Sequence, residues 1–233
     1  MQHTDDVAIR IDRLTVSYAD GPVLTEVSAA IPRGRITAIV GPNGSGKSTL
    51  LGVLAGTVTA QSGAVHRDTT QRPAFVVQHS AIPAALPMTV REAVAMGRWA
   101  HRGLWRRLTA TDREIAHACL VRMELTDLAA RRLDTLSGGQ RQRTLLAQAL
   151  AQQSDLMLLD EPATGLDAAS RAEISRALVE ISATGVTVVQ ATHDLAEAAQ
   201  ADHCLLLRDG QLLAAGPPGE VLRSVADYQS ASV

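Results

Sequence analysis

Lysine is nearly absent from this chain. Of its 22 basic residues, only Lys47 is a lysine, and every other one is an arginine. A need for positive charge alone therefore does not explain the residue at position 47. Lysine differs from arginine in its compact ammonium group on a flexible stem. The sequence indicates that position 47 requires that geometry.

Aromatic residues are also scarce. The chain has one phenylalanine, two tryptophans and two tyrosines, and its formal net charge is −2. It therefore lacks the row of stacking side chains that single-stranded nucleic acid favours, and it lacks a global basic field. We expect no nucleic-acid partner.

Cysteines and long apolar stretches are few. Cys119 and Cys204 form no C-x-x-C pair, so we expect two reduced, buried thiols, and the seven histidines show no metal-ligand spacing. Residues 1–6 lack the basic and apolar regions of a signal peptide, and no apolar stretch approaches the roughly 20 residues of a membrane span. We expect a cytosolic chain that reaches a membrane only through a partner.

The single lysine lies in a glycine-rich run that fits G-x-x-x-x-G-K-[ST], the phosphate-binding loop. A buried strand is predicted over residues 35–40 and a helix over 48–54, which is the context this motif requires. The loop amides and Lys47 would bind phosphates, and the Ser48 hydroxyl would bind Mg²⁺. The run comprises Gly41, Pro42, Asn43, Gly44, Ser45, Gly46, Lys47, Ser48 and Thr49. The sequence thus predicts a nucleotide site.

The hydrophobic pattern predicts an α/β fold. Residues 7–18 and 23–31 alternate apolar and polar side chains, which indicates antiparallel strands near the amino terminus. Short apolar runs separated by helical stretches then indicate a mainly parallel sheet buried on both faces. These runs cover residues 74–77, 156–159, 186–189 and 205–207.

The strand signal disappears between residues 84 and 152. Thr89 with Glu92, and Thr111 with Glu114, match the capping-box spacing at helix starts. We expect residues 84–152 to form a helical subdomain inserted into a nucleotide-binding core of residues 1–83 and 153–233. The whole chain, 1–233, would be a single domain.

Polar side chains follow several predicted strands. Asp160 and Glu161 end one apolar run, while Gln78 and His193 follow two others. Ligands of open α/β sheets bind at the carboxyl ends of the strands. Asp160 would orient Mg²⁺ and Glu161 would polarise a water in line with the terminal phosphate.

A glycine pair opens another predicted helix. Ser137 and Gln140 have the S-x-x-Q spacing of a helix cap, with Gly138 and Gly139 between them. Each glycine in a first helical turn costs up to about 1 kcal/mol relative to alanine, so helix stability alone does not favour the pair. An exposed, positively polarised helix end that a phosphate can approach closely would explain it.

Together these motifs resemble those of ABC transporter ATPase subunits, over essentially the whole chain. The resemblance implies a RecA-like phosphate-loop NTPase core with an antiparallel β subdomain and an inserted helical subdomain. The motifs occur in the family's order: Tyr18, residues 41–49, Gln78, residues 136–140, Asp160 with Glu161, residues 164–167, and His193.

The resemblance also implies the residues' roles. Tyr18 would stack on the adenine of ATP, and Lys47 would hold its β- and γ-phosphates. Ser48 and Gln78 would contact Mg²⁺, with Asp160 in its outer shell. Glu161 would be the catalytic carboxylate, and His193 would sense the γ-phosphate.

The 136–140 segment would act across a head-to-tail homodimer. Ser137, Gly138, Gly139 and Gln140 of one subunit would close over the ATP bound by the other, with Asp167 in the facing loop. Two ATP molecules would then lie in a two-fold interface.

Residues 83–99, 103–105 and 111–114 resemble the importers of zinc, manganese and iron chelates. In that group this region faces an integral-membrane permease, so Trp99 and Trp105 are either docking anchors or core residues. We expect a peripheral subunit at the cytoplasmic side of the inner membrane, served indirectly by an extracytoplasmic binding protein. Zinc or manganese is favoured as cargo, and a ferric siderophore, haem or cobalamin is the alternative.

Two other classes stay open. A soluble ABC ATPase acting on DNA or ribosomes usually carries long coiled coils or a second cassette, and neither pattern appears here. A non-hydrolysing nucleotide-binding regulator would not need Gln78, Glu161 and His193 together.

Overall fold

The computed structural model of the protein describes residues 6–69, 71–77, 88–102 and 107–230. The chain divides into two compact units. The first unit comprises residues 1–73, 155–161 and 178–233, and the second comprises residues 74–154 and 162–177. The predicted subdomain boundaries at residues 84 and 152 stay a prediction.

Strands and helices alternate from residue 138 to residue 208, whereas three strands follow each other at residues 7–40 and helices alone occupy residues 90–151 in the described part of the chain. The strands are β1 (Val7–Tyr18), β2 (Gly21–Pro32), β3 (Ile36–Val40), β4 (Ser62–Arg67), β5 (Ala74–Val76), β6 (Leu156–Asp160), β7 (Thr187–Thr192), β8 (His203–Arg208) and β9 (Gln211–Gly216). The α-helices are α1 (Lys47–Ala55), α2 (Val90–Met96), α3 (Trp99–Arg102), α4 (Ala110–Arg122), α5 (Gly138–Ala151), α6 (Ala168–Ser182), α7 (Leu195–Ala198) and α8 (Pro218–Ser230). Short 3-10 helices cover Thr126–Leu128 and Leu133–Thr135.

The first unit contains an antiparallel sheet in the order β2-β1-β4 and strands of a larger sheet in the order β6-β7-β3-β8-β9. Strands β6, β7, β3 and β8 run parallel, and β9 pairs with β8 antiparallel at the edge. All residues of β3 and β7 are buried, because a parallel sheet is covered on both faces. The predicted α/β fold with a mainly parallel sheet is confirmed.

The second unit consists mostly of helices. Helix α2 begins with the predicted capping box, in which Glu92 N–H donates to Thr89 Oγ1 (3.3 Å) and Thr89 N–H donates to Glu92 Oε2 (2.7 Å). Val94, Leu120 and Leu146 are fully buried and place α2, α4 and α5 around one core.

The predicted start of α4 is wrong. Its capping box pairs Thr109 with Asp112 and not Thr111 with Glu114: Thr109 N–H donates to Asp112 Oδ2 at 2.9 Å. The shorter aspartate carboxylate reaches back to Thr109 just as a glutamate would at that spacing, so the helix begins two residues earlier. Thr111 and Glu114 then lie exposed within the helix.

Helices α2 and α5 approach each other closely at Gly97. A Cβ added there would lie 2.2 Å from the carbonyl oxygen of Gln148 and 2.9 Å from Ala151 Cβ. Any larger residue would push the two helices apart, which explains this glycine at the end of α2.

Among the helices that the structure describes, none combines the length and the apolar composition that crossing a bilayer requires.

Candidate functional site

The strand order of the first unit brings three predicted site segments to one edge. Strands β6, β7 and β3 are neighbours, and Val40 pairs with Thr192 while Asp160 pairs with Ala191. The glycine-rich loop, the two carboxylates and His193 therefore follow the carboxyl ends of adjacent parallel strands. Their predicted placement at these strand ends is confirmed.

The loop before α1 has the geometry of an anion cradle. Gly44 and Gly46 have φ of 81° and 99°, a backbone conformation that side chains rarely adopt. Helix α1 begins at Lys47 with no side-chain cap and no acidic residue in its own first turn, so no side chain of the helix itself satisfies its first amides.

Two side chains of the loop strengthen this interpretation. The Lys47 ammonium donates to the carbonyl oxygens of Gly41 and Pro42, each at 2.9 Å. Within the described part of the chain, the Ser45 hydroxyl is buried without a hydrogen-bond partner. A phosphate oxygen would satisfy that hydroxyl and attract the ammonium, so these residues fit the phosphates of ATP.

Charges of both signs lie close together in the site. Burial lowers the pKa of Lys47, while the nearby charges of Glu161 and Asp160 raise it. Burial raises the pKa of Asp160; the hydrogen bond from Ser48 opposes this shift, and the charge of Glu161 adds to it. The two acids are therefore held close together at an energetic cost, which is common at sites that bind cations.

Glu161 and His193 form a pair. Glu161 Oε1 lies 3.3 Å from His193 Nδ1, and the Glu161 side chain is 15% exposed compared with 50% for His193. Glu161 has a φ of 48°, and its N–H donates to the carbonyl oxygen of Ala191 at 3.0 Å. The turn after β6 thus holds the Glu161 backbone in a strained, left-handed conformation next to β7.

Two of the three residues predicted to bind Mg²⁺, Ser48 and Asp160, lie close together. The Ser48 hydroxyl donates to Asp160 Oδ1 at 3.1 Å. Hydroxyl and carboxylate oxygens are ligands that Mg²⁺ prefers, so the pair fits that ion. Gln78, the third predicted residue, lies outside the described residues.

Tyr18 ends β1 and is 51% exposed. It pairs with Gly21 at the start of β2, and the nearby Leu24 packs on the phosphate loop, since a Cβ at Gly46 would lie 2.6 Å from Leu24 Cδ2. The ring is thus exposed and available for stacking, and its role stays a prediction.

The second unit carries the Ser137–Gln140 turn. Gln140 N–H donates to Ser137 Oγ (3.2 Å) and Ser137 N–H donates to Gln140 Oε1 (3.1 Å), which is the predicted capping box. Ser137 and Gly138 are exposed. The amino end of α5 is therefore exposed at Ser137 and Gly138, while Gly139 is buried.

Sequence reasoning missed a residue that supports this turn. A Cβ at Gly139 would lie 2.4 Å from Ser170 Oγ and 2.7 Å from Ser170 Cβ. Ser170 is held in place by Asp167, whose Oδ1 accepts the Ser170 N–H at 2.8 Å. Gly139 is thus required by packing within the chain, whatever approaches the helix end from outside. The D-x-x-S spacing of Asp167 and Ser170, which is typical of an aspartate at a helix N-cap, was the available signal.

Comparison with known proteins agrees with this geometry. The family model described as "ABC transporter" matches residues 24–164. The manganese transport system ATP-binding protein MntB of Bacillus subtilis is 36% identical, over 91% of this chain and 88% of that protein. The ferric enterobactin transport ATP-binding protein FepC of Escherichia coli is 37% identical, over 94% of this chain and 85% of that protein.

A solved structure shows the same fold. The ATP-binding cassette MJ0796, in a dimeric post-hydrolysis state bound to ADP and Pi, matches with a TM-score of 0.78 and 28% identity, over 90% of this chain and 98% of that one. The family match covers more than half of the chain, and the relatives match along nearly all of it. The chain therefore belongs to the ABC transporter family, and it is an ATPase of that family.

Proposed function

We propose that this chain is the ATPase subunit of a membrane importer, and that it hydrolyses ATP with Glu161 as general base. The observation that carries the proposal is the Glu161–His193 pair at 3.3 Å, at the sheet edge that also holds Lys47 and Asp160. A carboxylate 15% exposed can polarise one water while the surrounding protein excludes others.

Each side chain has a distinct task in this proposal. Lys47 and the amides of the loop hold the β- and γ-phosphates, and Tyr18 stacks on the adenine. His193 orients the Glu161 carboxylate through its Nδ1 and contacts the γ-phosphate. Gln78, from outside the described residues, completes the set that holds the attacking water.

Ser48 and Gln78 would contact Mg²⁺, and Asp160 would lie in the outer shell of the ion. The ion, when bound, neutralises the negative charge that develops on the phosphates. Ser48 lies in the first turn of α1 and Asp160 at the end of β6, so neither oxygen needs a loop movement to reach the other.

The Ser137–Gln140 turn has no nucleotide partner in its own unit in this proposal. We infer that it closes over ATP bound by a second copy of the chain, which gives a two-fold homodimer. The exposed, capped end of α5 supports this role, as does the dimeric state of the related cassette MJ0796.

A groove in the second unit is proposed as the contact with the permease. It has a volume of about 390 Å³ and is lined by Met88, Glu92, Ala95, Met96, Trp99 and Leu108. Methionine and tryptophan side chains suit an apolar helix of a partner. Trp99 then acts as a docking residue, and Trp105 lies outside the described residues. This contact would hold the chain at the cytoplasmic face of the membrane.

The cargo is proposed to be a divalent transition-metal ion, zinc or manganese. The manganese transport protein of B. subtilis supports this assignment, and the ferric enterobactin protein of E. coli supports a ferric siderophore as the second candidate. A role on DNA or ribosomes finds no support among these relatives.

Hydrolysis by the purified chain tests the catalytic proposal. Glu161→Gln should retain ATP binding and lose about 10²–10⁴-fold in turnover, because the general base is removed. Phosphate release measures turnover, and calorimetry measures binding. Glu114→Gln, an exposed change on α4, is the matched control and should leave turnover unaltered. Turnover of Glu161→Gln at the parent rate would refute the assignment.

Metal accumulation in the native host tests the cargo. A strain that lacks this chain should accumulate less zinc or manganese, measured by mass spectrometry. The parent gene should restore the metal, and the Glu161→Gln gene should not. Normal content of both metals together with loss of ferric siderophore uptake would favour the second candidate.

A further inference from the structure

Arg98 is a buried cation in the middle of the second unit. It is 7% exposed, and its partner Asp112 is 1% exposed. Arg98 Nε donates to Asp112 Oδ1 at 3.1 Å, and Arg98 Nη1 donates to the Ala151 carbonyl oxygen and to Gln153 Oε1, each at 2.8 Å. A buried ion pair is weak evidence for stability, because desolvation offsets most of the attraction. A contribution to stability therefore does not explain why Arg98 and Asp112 are buried as a pair.

The pair joins the ends of two helices. Arg98 binds the last carbonyl of α5, where a positive charge is favourable, and Asp112 lies in the first turn of α4, where a negative charge is favourable. Asp112 also accepts the Thr109 N–H and hydroxyl through Oδ2, at 2.9 and 2.6 Å. His101 adds a second contact to the end of α5, from its ring Nε2 to the Gln152 carbonyl oxygen.

The same residues adjoin the groove proposed for the permease. Met96 and Trp99, which line the groove, flank Gly97 and Arg98 in the chain, and Leu108 precedes Thr109. Gly97 packs directly on the α5 backbone at Gln148. Trp99 and Leu108 of the groove lining are therefore direct sequence neighbours of Arg98 and Thr109 in the Arg98–Asp112 network.

The other end of α5 carries the Ser137–Gln140 turn. Helix α5 has 14 residues, so it spans about 21 Å as a rigid rod. Arg143, near its middle, approaches Glu173 of α6 at 3.5 Å. A displacement at the Arg98 end would thus move the turn at the other end.

We propose that Arg98 is a positioning residue that couples the occupant of the groove to the Ser137–Gln140 turn, with α5 as the connecting element. The three partners of its guanidinium hold α5, α4 and the α2–α3 junction in one arrangement. The inference rests on the proposed function, since it needs both a nucleotide at the turn and a partner in the groove.

Coupling through α5 must work in both directions, so nucleotide binding should be detectable at the groove. Trp99 is a natural reporter once Trp105 is replaced. We would titrate the full chain carrying Glu161→Gln and Trp105→Phe with ATP and Mg²⁺, and record tryptophan emission. Calorimetry on the same samples measures nucleotide binding independently.

We expect a saturable change in Trp99 emission with the half-saturation of nucleotide binding. Adding Arg98→Met with Asp112→Asn should keep nucleotide affinity within about twofold and reduce the emission change at least about fivefold, because the neutral pair leaves no unpaired charge but no longer links the helices. Arg113→Met is the control: it removes an arginine of α4 that donates to the Leu108 carbonyl oxygen, and the emission change should persist.

The outcomes are distinct. An unchanged Trp99 response in the double variant overturns the inference, as does ATP binding without any Trp99 response in its parent. Absence of ATP binding in the parent overturns the proposed function itself. If circular dichroism shows the double variant unfolded, Arg98→Lys provides the same test, because lysine lacks the two separate nitrogens by which Arg98 binds Asp112 through Nε, and Ala151 with Gln153 through Nη1. A full response of that variant also overturns the inference.

Discussion

At the scale of single residues, the site contains ionisable groups whose burial disfavours their charged forms. Lys47 is 5% exposed, and Asp160 is half-buried beside Glu161. Such groups reduce stability in order to present charge to a ligand, as functional sites commonly do. Neutralising a residue of this kind should raise the protein's free energy of unfolding. Replacing a residue that only supports the fold should lower it.

Asp160→Asn should stabilise the protein while weakening its use of Mg²⁺. Burial raises the pKa of Asp160, so the ionised carboxylate lowers the free energy of unfolding at neutral pH. The midpoint of thermal unfolding should be higher for the variant at pH 7. That advantage should shrink as the pH falls through the raised pKa toward the unfolded value of about 3.9. Circular dichroism from about pH 4 to about pH 8 measures it.

The exposed Asp127 supplies the comparison for this experiment. Asp127→Asn removes one exposed carboxylate and should change the unfolding midpoint little at pH 7. If Asp160→Asn lowered the midpoint at pH 7, the carboxylate would be a stabilising group and the electrostatic description would be wrong.

At the scale of elements, α5 is held at both ends. Its amino end is capped by Ser137 and packed on Ser170, and its carboxyl end is bound by Arg98. Two glycines in its first turn lower its intrinsic helix propensity, so tertiary packing must hold the helix there.

Gly139→Ala should destabilise the protein even though alanine favours helices. Alanine gains up to about 1 kcal/mol of helix propensity, but the added Cβ would lie 2.4 Å from Ser170 Oγ, and overpacking of this kind costs about 1–3 kcal/mol. Urea denaturation measures the difference. Gly138→Ala is the matched control, since its Cβ would lie 3.0 Å from the flexible Leu166 Cδ2.

A second substitution locates the cause. Combining Gly139→Ala with Ser170→Gly removes the clashing side chain and should recover stability relative to the sum of the two single changes. Additive losses would show that Ser170 is not what restricts position 139.

At the scale of the whole molecule, the proposed activity needs two copies of the chain. The phosphate loop, Asp160, Glu161 and His193 belong to the first unit, and the Ser137–Gln140 turn belongs to the second. A nucleotide held between copies would engage both.

ATP should therefore double the mass of the Glu161→Gln variant in solution. With ATP and Mg²⁺, sedimentation should show twice the 24.6 kDa of one chain, because the slow variant keeps its nucleotide. Lys47→Ala should stay at one chain and lose at least about tenfold in ATP affinity, since the ammonium that binds the phosphates is gone. A Glu161→Gln chain that binds ATP and remains a monomer would refute the dimer.

Much of the local structure could be predicted from the sequence. The phosphate loop, the strand before it, and two of three capping boxes depend on residues within a few positions of each other. Periodicity also indicated that Asp160 and His193 lie at the carboxyl ends of strands. The pattern failed at α4, where two overlapping capping boxes competed, and at β4 and β9, whose residues are exposed or half-buried and give little hydrophobic signal.

The sequence by itself determined the position of the glycine-rich loop, of the strand before it and of two of the three predicted capping boxes, because glycine and capping residues act on the backbone within a few positions of themselves. Only the tertiary structure decided which distant residues meet. Glu161 with His193, Gly139 with Ser170, and Arg98 with Asp112 are joined by strand order and helix packing. Gly41 belongs here too: a Cβ there would lie 2.1 Å from the Leu207 carbonyl oxygen of β8. Such contacts depend on how strands and helices pack against each other. The spacing of residues along the sequence does not reveal which distant residues come into contact.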